Sequence, residues 1–180
     1  MYTVIKNKGK MVKAYELGRN NPVISELIQK GKIRIGVDGK YEVFSQESSG
    51  SGELAEAGDW VKVDSKGYPY PNKREWFEEN HRHIEGDVFE QVPKPLNGWD
   101  SHLSMCPEIE FLVKEKGLVI NEESSDCRYM AELWGTTETA AEDAMIVFYS
   151  ISYGSDGKVM DANYNFVERS VFDKTYTILG

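Results

Sequence analysis

Between residues 57 and 72 the backbone has few options. Ala57-Gly58-Asp59 reads as a turn, Trp60-Val61-Lys62-Val63-Asp64 alternates as a strand does, and Ser65-Lys66-Gly67 turns again. Tyr68-Pro69-Tyr70-Pro71 must then be extended. Each proline fixes its own φ and pushes the tyrosine before it out of the helical region. Asn72 is a good N-cap, and Glu75 three residues later completes something close to a capping box, so a helix is expected from there to about His83. Trp76, Phe77, Asn80 and Ile84 fall on roughly one face of it. The elements here are therefore short.

The flanking residues continue the pattern. Residues 2–5 and 11–15 read as strands around the break Asn7-Lys8-Gly9-Lys10. Asn21 caps and Pro22 opens a helix whose apolar face holds Val23, Ile24, Leu27 and Ile28, ended by Gly31. Asp38-Gly39 joins 33–35 to 41–44 as a hairpin. Residues 45–53 are rich in serine and glycine and are expected to form a mobile loop, able to cover a pocket. Val92-Pro93-Lys94-Pro95-Leu96-Asn97-Gly98 reads as a boundary, or as a closing edge strand. Beyond it, Cys106–Lys116 fits a helix or a strand equally. Leu118–Ile120, Tyr129–Trp134, Ala144–Tyr153, Lys158–Arg169 and Thr175–Leu179 read as strands, the third and fourth forming a long hairpin about Ser155-Asp156-Gly157. The expectation is an α+β protein of two small units, 1–97 and 98–180, mostly antiparallel sheet with a few short helices.

Charge is unevenly placed. Residues 1–97 hold 15 basic and 15 acidic side chains, whereas 98–180 hold 6 and 15, so the whole net charge of −9 lies in the second half. Such a half repels a phosphate backbone, which disfavours nucleic acid as a partner. It can serve as a docking face for a basic protein partner; a solvated surface that keeps the chain soluble is the commoner use of such charge. No apolar run approaches the roughly 20 residues that span a bilayer, and the first residues lack a signal-like apolar stretch. With Cys106 and Cys127 the only cysteines, no disulfide framework is expected. A cytoplasmic protein with no membrane association is the default.

Residues 53–84 resemble a set of small bacterial and phage-borne proteins, among them the PGDYG family with its Pro-Gly-Asp-Tyr-Gly signature. Gly58, Asp59 and Trp60 match Gly-Asp-aromatic, and Gly67 with Tyr70-Pro71 matches the glycine and Tyr-Pro that follow in the phage relatives. Trp76-Phe77 would lie on the short aromatic helix after them. Ala57, Trp60 and Val61 replace the signature's proline, tyrosine and final glycine. The function of this group is unknown, so the resemblance implies a bacterial or mobile-element setting and no activity.

Few residue sets carry chemistry. His81-Arg82-His83 would bind metal from a strand, but on a helix the two rings diverge by about 200°; at a helix end they suit the negative dipole instead. His102 and Cys106, spaced i, i+4, could join Cys127 and an acid in a zinc site or form a Cys-His nucleophile pair, but no repeated Cys or His spacing accompanies them and Pro107 separates His102 from any helix after Cys106. Glu138, Glu142 and Asp143 pair as acids only if 139–143 is a helical turn. No phosphate loop or nucleophile elbow is present. No cofactor, metal or catalytic set is therefore expected. The candidate binding residues are Asp59, Trp60, Tyr68, Tyr70, Trp76 and His81, an aromatic group suited to anchoring a ligand or completing a core. Asp161 and Asn163 join them, on a strand face that is either solvated or lines a polar pocket. A non-catalytic binding protein is the leading expectation. The alternative is an enzyme acting on a small molecule in a pocket between the units.

Overall fold

A computed structural model describes residues 1–48 and 50–180. Strand β1 (Tyr2–Lys6) leads to β2 (Lys10–Glu16) and helix α1 (Pro22–Gln29), where the Asn21 side chain accepts from the Val23 amide at 2.8 Å and Pro22 sits in the first turn. The Asp38-Gly39 turn joins β3 (Ile33–Ile35) to β4 (Tyr41–Val43), and β5 (Glu53–Ala55) pairs with β4. The polar loop between β4 and β5 contains Ser49, which lies outside the described residues. Then come β6 (Trp60–Val63), β7 (Pro69–Asn72), α2 (Arg74–Asn80), β8 (His81–Glu85), β9 (Val88–Gln91) and β10 (Leu96–Trp99). Helix α3 (Pro107–Glu115) resolves the ambiguous stretch after Cys106 in favour of helix. The chain closes with β11 (Val119–Ile120), β12 (Tyr129–Leu133), β13 (Thr136–Ala140), β14 (Met145–Tyr153), β15 (Val159–Val167), α4 (Arg169–Thr175) and β16 (Tyr176–Ile178). The fold is α+β, and every described strand pair is antiparallel.

The chain forms two compact units, a central one of Gly9–Val92 and a terminal one in which Met1–Lys8 joins Pro93–Gly180. This differs from a linear division at 97/98. β1 pairs with β10 on one side and β16 on the other, so the N-terminus completes the sheet of the C-terminal residues. The crossing point at Pro93 falls in the proline-rich segment that the sequence marks.

In the central unit a five-stranded sheet runs β7-β6-β2-β9-β8 and a three-stranded one β3-β4-β5. Alternation along the strands sends Tyr15, Leu17 and Val61 to one face, where they bury against Ile24 and Leu27 of α1 and Ile33, Val43 and Ala55 of the small sheet. Ala14 and Phe89 go to the other face, under Phe77 of α2. A buried phenylalanine contributes about 1.5–3 kcal/mol, so α2 is held by Phe77 more than by helix propensity, at seven residues too short to stand alone.

The terminal unit has a five-stranded sheet, β15-β14-β10-β1-β16, and a three-stranded one, β11-β12-β13. β14 is apolar without alternation from Met145 to Phe148 because both of its faces are covered. Ile146 and Phe148 meet Ile109 and Leu112 of α3 and Tyr129 of β12, whereas Met145 and Val147 meet Val4, Phe172 and Tyr176. Asp100 is buried at the end of β10 and accepts from Arg169 at 2.6 Å and from the His102 amide at 3.1 Å, pinning the start of α4.

Two element boundaries change, and one stated condition is not met. The helix after residue 72 ends at Asn80 rather than near His83, because residues 81–85 pair with β9 as β8. Residues 139–143 hold the end of β13 and a turn, so Glu138 and Glu142 are not aligned on a helix; Arg128 instead pairs with Glu142 at 2.8 Å. The last long strand stops at Val167, and residues 169–175 turn into α4 to bury Phe172.

Candidate functional site: a lysine among aromatic rings

The Gly58-Asp59-Trp60 segment is a structural joint. Gly58 sits at φ +96°, a conformation open to glycine, and its amide donates to the Leu17 carbonyl at 2.8 Å. The register of β6 with β7 sets Trp60 opposite Asn72, which brings Asp59 to the first residue of α2. The Asp59 carboxylate accepts from the Arg74 amide at 3.0 Å, the Glu56 amide at 2.9 Å and the Lys73 ammonium at 3.2 Å. Asp59, not Asn72, thus caps α2. Asn72 ends β7, and Lys73 at the cap position makes no side-chain cap bond. Burial works to raise the Asp59 pKa, but the bonds from Glu56, Arg74 and Lys73 outweigh it and hold the carboxyl below its ordinary value. Asp59 therefore ties the start of α2 to the turn before β6.

Above this joint α2 lays its rings over the sheet. Trp60 stacks on Phe77 at 4.5 Å between centroids, and Phe77 stacks on His81 at 4.1 Å, with Phe89 edge-on to Trp60 and Phe77. Lys62, two residues along β6 from Trp60, shares its face. It pairs across the sheet with Ala14 and Tyr70. Lys62 is only 5% exposed, and its ammonium lies 5.5 Å from the Trp76 ring, 5.9 Å from Phe77 and 6.0 Å from Tyr70. Among the described residues no carboxylate pairs with it. Burial lowers its pKa, and the charge of Lys10 lowers it further. Trp76, 43% exposed, forms the outer wall.

His81 completes the cluster. Its Nδ1 donates to the Phe77 carbonyl at 2.9 Å, so in the neutral ring Nε2 holds the lone pair. That atom is buried without a partner. Burial lowers the His81 pKa, the Phe77 bond opposes this, and nearby Lys62 reinforces it. On strand β8 His81 and His83 have the same parity, which the helical reading denied them. They still form no metal pair: His83 Nε2 donates to the Gly86 carbonyl at 2.8 Å, and among the described residues no three His, Cys, Asp or Glu side chains are grouped to hold a metal. A cavity of about 420 Å³ opens beside the stack, lined in part by Glu16, Asn21, Trp60, His83, Asp87 and Phe89.

The structure thus brings Trp60, Tyr70, Trp76 and His81 together around Lys62. Tyr68 lies apart from them, under the Lys32 ammonium at 4.4 Å. Asp161 and Asn163 belong to the terminal unit and are exposed: Lys116 pairs with Asp161 at 2.5 Å, and the Asn163 amide donates to Ser150 at 2.9 Å. Cys106 is free, with its thiol pKa pushed up by burial. Sequence reading missed Lys62, although its parity with Trp60 on an alternating strand was the available signal. No helix is long and apolar enough among the described residues to cross a membrane. No family model, curated protein or solved structure matches the chain.

Proposed function

We propose that this is a non-catalytic binding protein whose central unit receives a carboxylate-bearing, planar ligand between Lys62, Tyr70 and Trp76. The observation that carries the reading is that Lys62, only 5% exposed and flanked by three rings, has no acidic partner for its ammonium among the described residues. Partly desolvating an unpaired charge is unfavourable, and an anion from outside would offset that cost. Trp76 offers an exposed ring for the planar part. Benzoate is the probe. Titrated into the protein, it is expected to change tryptophan fluorescence saturably, while benzamide, the same ring without the charge, does not. Lys62→Met removes the response. An equal response to benzamide, or an undiminished one in Lys62→Met, defeats the reading.

The acid-rich terminal unit fits a basic protein partner and disfavours nucleic acid. A cytoplasmic setting and kinship with the PGDYG-type bacterial and phage proteins, through Gly58-Asp59-Trp60 and Tyr70-Pro71, belong to the same proposal. A small-molecule enzyme is the second reading. It is favoured by one observation: Lys62 and His81 are both held toward their uncharged forms, as amines and imidazoles are for covalent and acid–base work. Recovery of a bound small molecule unchanged after prolonged incubation decides for binding, and its conversion for catalysis.

A further inference from the structure

The β12–β13 hairpin of the terminal unit turns through only two residues, since Leu133 pairs directly with Thr136. Both turn residues have left-handed backbone, Trp134 at φ 56° and Gly135 at φ 80°. That turn favours Asn-Gly, Asp-Gly or Gly-Gly. Trp134 is the one described residue other than glycine with positive φ. It is also 74% exposed, so burial does not offset the strain. An outward-facing ring kept at a strained position points to a contact outside the chain.

Beside it lies a cavity of about 160 Å³, lined by Lys116, Glu132, Leu133, Asn163 and Tyr164 together with Trp134. Tyr164 is 4% exposed, and its hydroxyl is buried with no hydrogen-bond partner. Lys116 is already paired with Asp161, which leaves Glu132 as the charge without a counter-ion. The Thr137 hydroxyl donates to one of its oxygens.

We propose that this hairpin end docks an arginine side chain of a protein partner. A guanidinium is planar and stacks on an exposed indole. It donates in a fork that suits the exposed Glu132 carboxylate beside Trp134. The acidic excess of residues 98–180 attracts a basic segment and repels an anionic one. The proposal rests on the reading of the chain as a binding protein, but it uses none of the residues around Lys62.

The test titrates acetyl-Gly-Arg-Gly amide into the full chain and follows the Trp134 indole by NMR. The expected result is a saturable shift with Kd on the order of 1 mM or tighter, weakened about tenfold by Glu132→Gln and by replacing arginine with neutral citrulline, each the loss of one charged hydrogen-bonded pair. Lys62→Met leaves it unchanged. Trp134→Asn, which creates the favoured Asn-Gly turn, is expected to melt no lower than wild type and to lose the peptide. Absence of a shift, equal binding of the citrulline peptide, unchanged binding by Glu132→Gln, or a lowered melting temperature for Trp134→Asn overturns the proposal. If the arginine peptide fails while benzoate still binds, this site alone falls; if both fail, the binding reading falls with it.

Discussion

Replacing Asp59 tests whether one carboxylate holds α2 over the sheet. In Asp59→Ala the Arg74 and Glu56 amides lose an ionised acceptor at 3.0 and 2.9 Å. Hydrogen bonds to a charged group are each worth about 1.5–3 kcal/mol, the Arg74 amide at the low end because a helix terminus regains water. The Lys73 contact adds little, since the lysine is largely exposed. The expected loss is about 3 kcal/mol, or roughly 6–12 °C in melting temperature for a chain of this size. Asp59→Asn keeps one carbonyl acceptor and is expected to lose about half as much. The pH dependence has a definite sign. The folded pKa lies below the ordinary 3.8, so the unfolded chain takes up the proton first. The contribution is present above about pH 4 and is lost as pH falls through the folded value. Urea denaturation between about pH 7 and 3 measures both effects. Benzoate binding should weaken in parallel, because α2 carries Trp76 and Phe77. The reasoning fails if Asp59→Ala unfolds within about 0.5 kcal/mol of wild type, or if Asp59→Asn loses as much stability on acidification as wild type does.

Other substitutions probe neighbouring claims. Lys62→Met is expected to stabilise the central unit by about 1 kcal/mol at neutral pH, since the cost of burying an unpaired ammonium exceeds its attraction to the rings. With the folded Lys62 pKa lowered, wild-type stability rises with pH toward the unfolded value, so urea denaturation at alkaline pH should show the gap closing. Gly58→Ala places a side chain at φ +96° and should cost more than about 1 kcal/mol by thermal melting. Asp100→Ala strips Arg169 of its buried partner and should cost about 3 kcal/mol, read by chemical denaturation of the terminal unit.

Much of the secondary structure was legible because its signals are local. Asn21-Pro22 starts a helix whatever surrounds it, Asp38-Gly39 closes a hairpin, and Pro69 and Pro71 force an extended strand, all through steric limits within a few residues. Ala144–Tyr153 read as a strand from hydrophobic pattern, which is also local. Residues 81–85 were not legible, since His-Arg-His-Ile-Glu has no apolar alternation; they become β8 through pairing with β9. Residues 170–174 carried no assignment between two expected strands; they become part of α4 where Phe172 is buried beside Met145 and Tyr176. Of the candidate site, the aromatic residues were visible as types, and their common target was not.

The sequence by itself determined short antiparallel elements, the hairpins and turns, the segregation of acid into the second half, and the absence of familiar catalytic or metal patterns. Tertiary structure alone decided that β1 completes the C-terminal sheet, that Asp59 rather than Asn72 caps α2, and that Lys62 lies buried among rings with no counter-ion among the described residues. The division has one physical cause. Turn and proline preferences are set by a residue's immediate neighbours, whereas burial, strand partners and the charge beside a side chain depend on segments remote in sequence, brought together only when the apolar faces close.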